Sequence, residues 1–269
     1  MSVALCAGLL GVFAAPAAAQ APKVAVTGGV DFSNRYDFRG IRQNGGEVSI
    51  WPFADVGVPV FNGDGSLKTV TVNVGTWNAV QSEMPDSKWY ESDLYGTLGL
   101  GFGMTTLGFT YTSYMSPGDY WHNVQELAIK LGVDDSSKLG KAALKPYGLV
   151  AFELGDGQAD GGAPGEKGVY VELGVAPGYS GSKASVAFPI KVGLSAKDYY
   201  KFAGSTDDGK FGYFSVAGIV TVPINSNWNV HGGAELQLFG DALRAYNGFG
   251  DSGDRRYAPI ASIGLGFSY

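Results

Sequence analysis

Pro259-Ile260-Ala261-Ser262-Ile263-Gly264-Leu265-Gly266-Phe267-Ser268-Tyr269 ends the chain. One face of this stretch reads Pro, Ala, Ile, Leu, Phe, Tyr. The other reads Ile, Ser, Gly, Gly, Ser. Alternation held over this length is the mark of a β-strand, whose side chains point to opposite faces in turn. An apolar face opposed by glycine and serine fits a wall with hydrocarbon on one side and a polar interior on the other.

The same test, carried backwards, predicts strands at about 23–35, 47–59, 67–79, 89–102, 105–116, 122–133, 145–155, 167–176, 184–197, 210–222, 227–239 and 257–269. Val70, Val72 and Val74 oppose Thr69, Thr71 and Asn73. Val186, Phe188, Ile190, Val192 and Leu194 oppose Ala187, Lys191 and Ser195. Trp228, Val230, Ala234, Leu236 and Leu238 oppose His231, Glu235 and Gln237. Twelve is an even number, as single-chain barrels that span a membrane require.

The connections alternate as well. Phe61 to Ser66, Gly103-Met104, Pro177 to Lys183 and Ile224 to Ser226 are short. Tyr36 to Gly46, Gly157 to Lys167, Asp198 to Gly209 and Gly240 to Arg256 are long and polar. Short turns at one end and long loops at the other describe an up-and-down barrel with both termini at the turn end. The stretch from Asp134 to Leu144 is long but falls among the short turns. It predicts a short helix or turn there. A secreted β-sandwich also alternates, but it rarely carries so little charge and needs no aromatic C-terminus.

Composition agrees. The chain has 269 residues with 42 glycines, 13% aromatic and only 16% charged residues. Ordinary soluble domains carry about 25% charged residues. A mean hydropathy of +0.03 is too low for a bundle of apolar helices. A barrel averages to neutral because half of each strand faces the lumen. The net charge of -6 and pI near 4.9 argue against nucleic acid as a partner.

The N-terminus predicts export. Val3 to Ala15 is small and apolar, and Pro16-Ala17-Ala18-Ala19-Gln20 follows as an A-x-A cleavage site. We expect a signal peptide over 1–19 and a barrel over 20–269. Cys6, the single cysteine, falls in the leader. No disulfide framework is then available, and stability must come from backbone pairing.

Alternation assigns charges to the interior: Asp31, Asp55, Glu91, Asp93, Glu126, Glu153, Glu172, Glu235, Lys130 and Lys191, with Arg35, Arg39 and Arg42 near the loop end of the first strand. A basic residue facing mid-membrane lipid would cost about 2–4 kcal/mol, so the inward assignment is physically demanded. These groups either pair across strands and fill the interior, or line a narrow pore whose acid-rich wall favours cations. The expected function is passive diffusion of small solutes or ions with weak cation preference. A plugged structural barrel is the alternative. Gly40 suits a turn with positive φ. Arg39 is expected to pin the first hairpin by pairing with Asp37, Glu91 or Asp93, or else to belong to a constriction.

Ser33-Asn34-Arg35-Tyr36-Asp37-Phe38-Arg39-Gly40-Ile41-Arg42-Gln43 carries an aromatic-Arg-Gly-Ile-x-Gln core. With Tyr90-Glu91-Ser92-Asp93-Leu94-Tyr95-Gly96 and Pro117-Gly118-Asp119-Tyr120-Trp121, it resembles the TorF-type porin-like family of proteobacteria, over about residues 20–130. Arg42 and Ser92 depart from that family's pattern. The resemblance implies an outer-membrane channel and names no solute. The partners expected are outer-membrane lipid and lipopolysaccharide, the barrel-assembly machinery reading Phe267 and Tyr269 as a C-terminal sorting signal, and small polar solutes or ions.

A lipid hydrolase would need a Ser–His pair near the loop end. His122 stands near Ser113, Ser116, Asp119 and Asn123, while His231 lies deep in a strand. No G-x-S-x-G occurs, and His122 reads as an interfacial residue beside Trp121. We expect no catalytic residue, no metal and no cofactor. Gly155-Asp156-Gly157 with Asp160 lacks the ligand spacing of a Ca²⁺ loop.

Overall fold

A computed structural model describes residues 24–44, 47–82, 84, 87–155, 167–202, 208–248 and 253–269. The expected leader with Cys6, and the Asp156–Asp160 stretch, lie outside the described residues.

The chain is a closed antiparallel barrel of twelve staves. They are β1 (Ala25–Ser33), β2 (Ser49–Asn62), β3 (Thr69–Gln81), β4 (Trp89–Phe102), β5 (Thr105–Met115) and β6 (Val124–Val133), followed by β7 (Tyr147–Leu154) and β8 (Val169–Val175, continued by Gly178–Ser180). The last four are β9 (Ser185–Ala187 and Ile190–Lys197), β10 (Phe211–Pro223), β11 (Trp228–Phe239) and β12 (Tyr257–Ser268). Each pairs with the next. β12 closes on β1 in the register Val30↔Leu265 and Asp31↔Gly264. Closure removes the free edges that an open sheet would expose.

The departures from simple alternation have local causes. β8 and β9 break beside Pro177 and Pro189, which have no N–H for the ladder. The proline carbonyls still accept, from Phe188 N–H at 2.8 Å and Ala217 N–H at 2.9 Å. β2 runs further toward the turn end than alternation alone predicts, to Asn62, whereas β3 is displaced toward the loop end, to Gln81. A bulge at Pro59/Phe61 puts Val60 and Phe61 both outward, which hides the continuing strand. A second bulge opposite Ala79/Val80 adds Tyr90 to β4 and turns its ring inward beside Glu91.

The Asp134–Leu144 connection holds a single helical turn, α1 (Ser136–Leu139), and a 3-10 turn. Asp135 ties its exit by accepting from Lys145 N–H at 2.9 Å and Leu144 N–H at 3.1 Å. Those amide donors hold the Asp135 carboxyl below its usual range. In the last long loop a second helix, α2 (Asp241–Asn247), buries only Leu243 and Asn247.

The outer surface is apolar on every side. Val56, Val74, Leu94, Leu131, Leu173, Phe188, Val220, Val230, Leu236 and Ile263 all stand more than a third exposed. Exposed aromatics collect at the two ends. Phe32, Trp89, Phe152, Phe211 and Tyr257 lie toward the loop end. Phe61, Phe102, Tyr179, Trp228 and Tyr269 lie toward the turn end. On β12 the outward set begun at Ala261 and Ile263 ends with Phe267 against Trp228, ring centroids 5.0 Å apart. Tyr269 pairs its backbone with Val26 and leaves its ring exposed.

Candidate functional site: the barrel interior

The interior differs between its two halves. Toward the turn end it is lined by Asp55, Asn73, Tyr95, Thr97, Thr110 and Lys130, all half-buried. Asn73 donates to Asp55 at 2.8 Å, and the two threonine hydroxyls meet at 2.8 Å. Toward the loop end the space is filled. The filling comes from the three long loops that the structure describes in part.

The first loop folds inward as a hairpin. Asp37–Phe38 pairs with Ile41–Arg42, and this small sheet is separate from the barrel wall. Arg39 and Gly40 form its tip with φ of 51° and 82°. Positive φ at both central residues is what a tight two-residue hairpin demands. Glycine takes that conformation freely, and arginine does so at a strain that its neighbours must offset. Tyr36, Phe38 and Ile41 are all buried, so the hairpin enters the barrel by its apolar side chains. Tyr36 packs on Trp51, Trp77 and Tyr90, while Phe38 packs edge-on against Tyr114.

Arg39 lies at the centre. Its guanidinium makes a bidentate pair with Glu126 of β6, at 2.6 and 2.8 Å. The same group donates to Tyr199 Oη at 3.1 Å and lies over the Tyr170 and Phe38 rings at 4.3 and 4.8 Å. Arg39 therefore does pin the hairpin, but through Glu126 and not through the expected Asp37, Glu91 or Asp93. Asp37 is engaged by Arg35, 2.7 Å away within the same loop. Glu91 instead accepts from the Tyr36 hydroxyl at 2.8 Å. Geometry explains the exchange. A type I′ tip throws its first central side chain forward across the lumen, past the acids on its own flank.

Two further loops lock onto the tip. From the β9–β10 connection, Tyr199 and Tyr200 are fully buried, and Tyr200 Oη donates to the Arg39 carbonyl at 3.0 Å. From α2, Asn247 donates to the Gly40 carbonyl at 2.7 Å and accepts from Arg42 N–H at 2.9 Å.

Of the charges assigned to the interior, the ten on strands point inward, and Arg35, Arg39 and Arg42 lie in the folded-in first loop. Asp31, Arg39, Glu91, Asp93, Glu126, Glu153, Glu172, Lys191 and Glu235 are buried; Asp55 and Lys130 are half-buried. Most are engaged with protein groups. Glu172 accepts from three tyrosine hydroxyls, Tyr170 at 2.7 Å, Tyr147 at 2.8 Å and Tyr213 at 3.1 Å. Glu235 accepts from Ser215 at 2.6 Å, with Lys191 at 4.0 Å. Glu153 accepts from Gly168 N–H at 2.7 Å, and Lys130 lies over the Tyr147 ring at 4.6 Å. Asp93 keeps one buried carboxylate oxygen without a hydrogen-bond partner.

Asp31 and His231 meet at 2.5 Å although β12 runs between their strands. They do so over Gly264, which is in register with both. The other His231 ring nitrogen faces Asn229 at 3.0 Å. His122 is exposed at the loop end. Ser116 is turned inward, with its hydroxyl on the Tyr90 carbonyl and the Tyr120 N–H. Among the described residues no hydrogen bond joins His122 to Ser116. Among the described residues no cluster of His, Cys, Asp and Glu could hold a metal.

The residues that the sequence did not mark are Tyr199, Tyr200, Leu243 and Asn247. A signal was present, since Tyr199-Tyr200-Lys201-Phe202 is too aromatic for a loop that stays in water.

No protein-family model and no curated protein sequence matches this chain. Solved structures with a similar fold include an outer membrane channel from Pseudomonas putida F1, at 10% identity and a TM-score of 0.49, covering 94% of this chain and 97% of that one. The translocator domain of the autotransporter NalP from Neisseria meningitidis is 16% identical with a TM-score of 0.45, covering 91% of this chain and 88% of that one. Outer membrane phospholipase A from Escherichia coli is 13% identical with a TM-score of 0.46, covering 90% and 89%. Likenesses at this level assign no activity to this chain.

Proposed function

We propose that this chain is a porin-like barrel of the bacterial outer membrane, exported by a leader cleaved near Ala19, with its interior closed at the loop end by a folded-in hairpin. The observation that carries the reading is the pairing of two faces. An uninterrupted apolar surface, edged by aromatics at both ends, surrounds an interior of charged and hydroxyl groups. A surface of that kind in water would be an aggregation site, whereas in a bilayer it is the expected exterior. The barrel needs no spanning helix, because closure satisfies every strand.

Orientation follows from the loops. The turn end, with both termini, faces the periplasm, and the plugged loop end faces outward. Phe267 and Tyr269 then sit at the periplasmic end of the last strand, where an assembly machinery reads a C-terminal signal. Lipopolysaccharide and lipid surround the apolar belt. The likeness of residues 33–43 and 90–96 to TorF-type barrels supports the same reading. Those segments are the plug hairpin and the strand that receives Tyr36.

Inward acids outnumber inward bases, so an ion that passes is expected to be a cation. The test is planar-bilayer conductance of the full chain beside a variant with residues 35–44 replaced by a Gly-Ser linker. The expected results are a small, cation-selective conductance for the chain and a several-fold larger one for the variant. Anion selectivity in both would overturn the acidic-pore assignment. The density of buried pairs around Arg39 favours a second reading, a structural barrel without transport. An absence of conductance in chain and variant alike, with folded protein confirmed on unheated gels, would establish that reading instead.

A further inference from the structure

We propose that α2 is the release element of the plug: the hairpin leaves the barrel only after α2 lifts away from it, and Asn247 couples the two. The proposal rests on the channel reading above.

The hairpin belongs to no stave of the wall. Its backbone pairs only with itself, so it can move as a unit without tearing the barrel. Beside Tyr199 and Tyr200 of the β9–β10 connection, α2 holds it from outside. The Asn247 side chain bridges the two sides of the tip, through the Gly40 carbonyl at 2.7 Å and the Arg42 N–H at 2.9 Å. Leu243 lies so close that a Cβ on Gly40 would stand 2.8 Å from its Cδ1. Both residues are buried, whereas Asp241, Ala245 and Tyr246 of the same helix are exposed. α2 therefore stands between the hairpin tip and solvent, and outward exit of the tip requires α2 to go first.

The two elements are fastened differently. The hairpin is held by a buried charge pair. The outer face of α2 is tied to the segment that follows it by an exposed pair, Arg244 with Asp254 at 2.7 Å, while Arg244 with Asp241 lies within the helix itself. Exposed pairs contribute little and weaken with salt. The order of opening follows from that difference. The weakly fastened element moves first, and its movement breaks the two side-chain hydrogen bonds of Asn247 and the contact of its carbonyl with the Arg42 guanidinium.

The experiment compares the full chain, Asn247→Ala, Asn247→Asp and the hairpin-replaced variant in planar bilayers. Limited trypsin digestion at Arg42 serves as a second readout. Asn247→Ala is expected to raise mean conductance and Arg42 cleavage about tenfold or more, as loss of two hydrogen bonds allows. Asn247→Asp keeps the acceptor for Arg42 N–H and loses the donor to Gly40, and should fall between. An Arg42→Cys/Asn247→Cys pair, oxidised, should hold the barrel closed, and reductant should open it. If the hairpin-replaced variant conducts while Asn247→Ala and the reduced pair behave as the parent chain, the proposal is wrong and the channel reading stands. If the hairpin-replaced variant itself does not conduct, the channel reading fails and the proposal falls with it. Should Asn247→Ala not fold, the oxidised and reduced pair decides alone.

Discussion

Arg39→Ala is expected to destabilise the folded barrel by about 3–5 kcal/mol, the usual consequence of removing one partner from a buried ion pair. The loss exceeds that of a surface pair because Glu126 is 1% exposed and would be left charged in a closed space. Tyr114 Oη at 3.2 Å still donates to it, but a neutral donor does not replace a guanidinium. Arg39→Lys should recover only part of the loss. An ammonium cannot make the bidentate pair or stack over Tyr170 in the same way. Arg39→Leu combined with Glu126→Leu should lie much closer to the parent, because no charge is then stranded. Unfolding midpoints in urea with detergent-solubilised protein measure all four. Conductance should rise in Arg39→Ala along with the loss of stability, since the hairpin is freed by the same change. A parent-like midpoint for Arg39→Ala would mean that the Glu126 pair does not hold the plug.

The second large effect is expected at the barrel seam. In Gly264→Ala the new Cβ would fall 1.9 Å from Asp31 Oδ1, 2.6 Å from His231 Nε2 and 2.9 Å from the Val30 carbonyl. The two side chains can swing aside only by giving up their contact at 2.5 Å. The carbonyl cannot move without disturbing the pairing of β12 with β1 that closes the barrel. Overpacking of this kind costs about 3 kcal/mol, and here the lost Asp31–His231 contact is added to it. The folded band on unheated gels should weaken or disappear. Gly264→Ala with His231→Ala should recover part of the loss, because Asp31 can turn into the vacated space. Equal heat resistance of Gly264→Ala and the parent would show that the seam does not depend on this close approach.

The staves and their faces were legible in the sequence for one reason. Alternation is a property of residues two apart, and a barrel wall imposes it on every strand alike. The final strand shows this best: Ala261, Ile263 and Leu265 face outward and Gly264 inward, as its own eleven residues require. The rule failed only where a bulge or a proline changed the local count, at Val60-Phe61, Tyr90, Pro177 and Pro189. Because a charge on the outer apolar face is costly, the same rule also placed ten charged strand residues on the inner side.

What those charges do was decided by tertiary structure. Glu126 is 87 positions from Arg39, and Tyr199 is 160. No local pattern links them. Glu91, Asp93 and Asp37 are all plausible partners until the hairpin tip is aimed across the lumen. The long connections raised the same difficulty in another form. Composition marks Tyr36 to Gly46 and Gly240 to Arg256 as loops, and a loop that folds inward has the same glycines and charges as one that stays in water. The sequence by itself determined a twelve-stave barrel with an apolar outside and an acidic inside. Only the tertiary structure decided that the first loop folds into the loop end of the barrel, because that placement depends on contacts between segments far apart in the chain, whose pairing is set by where the barrel holds them.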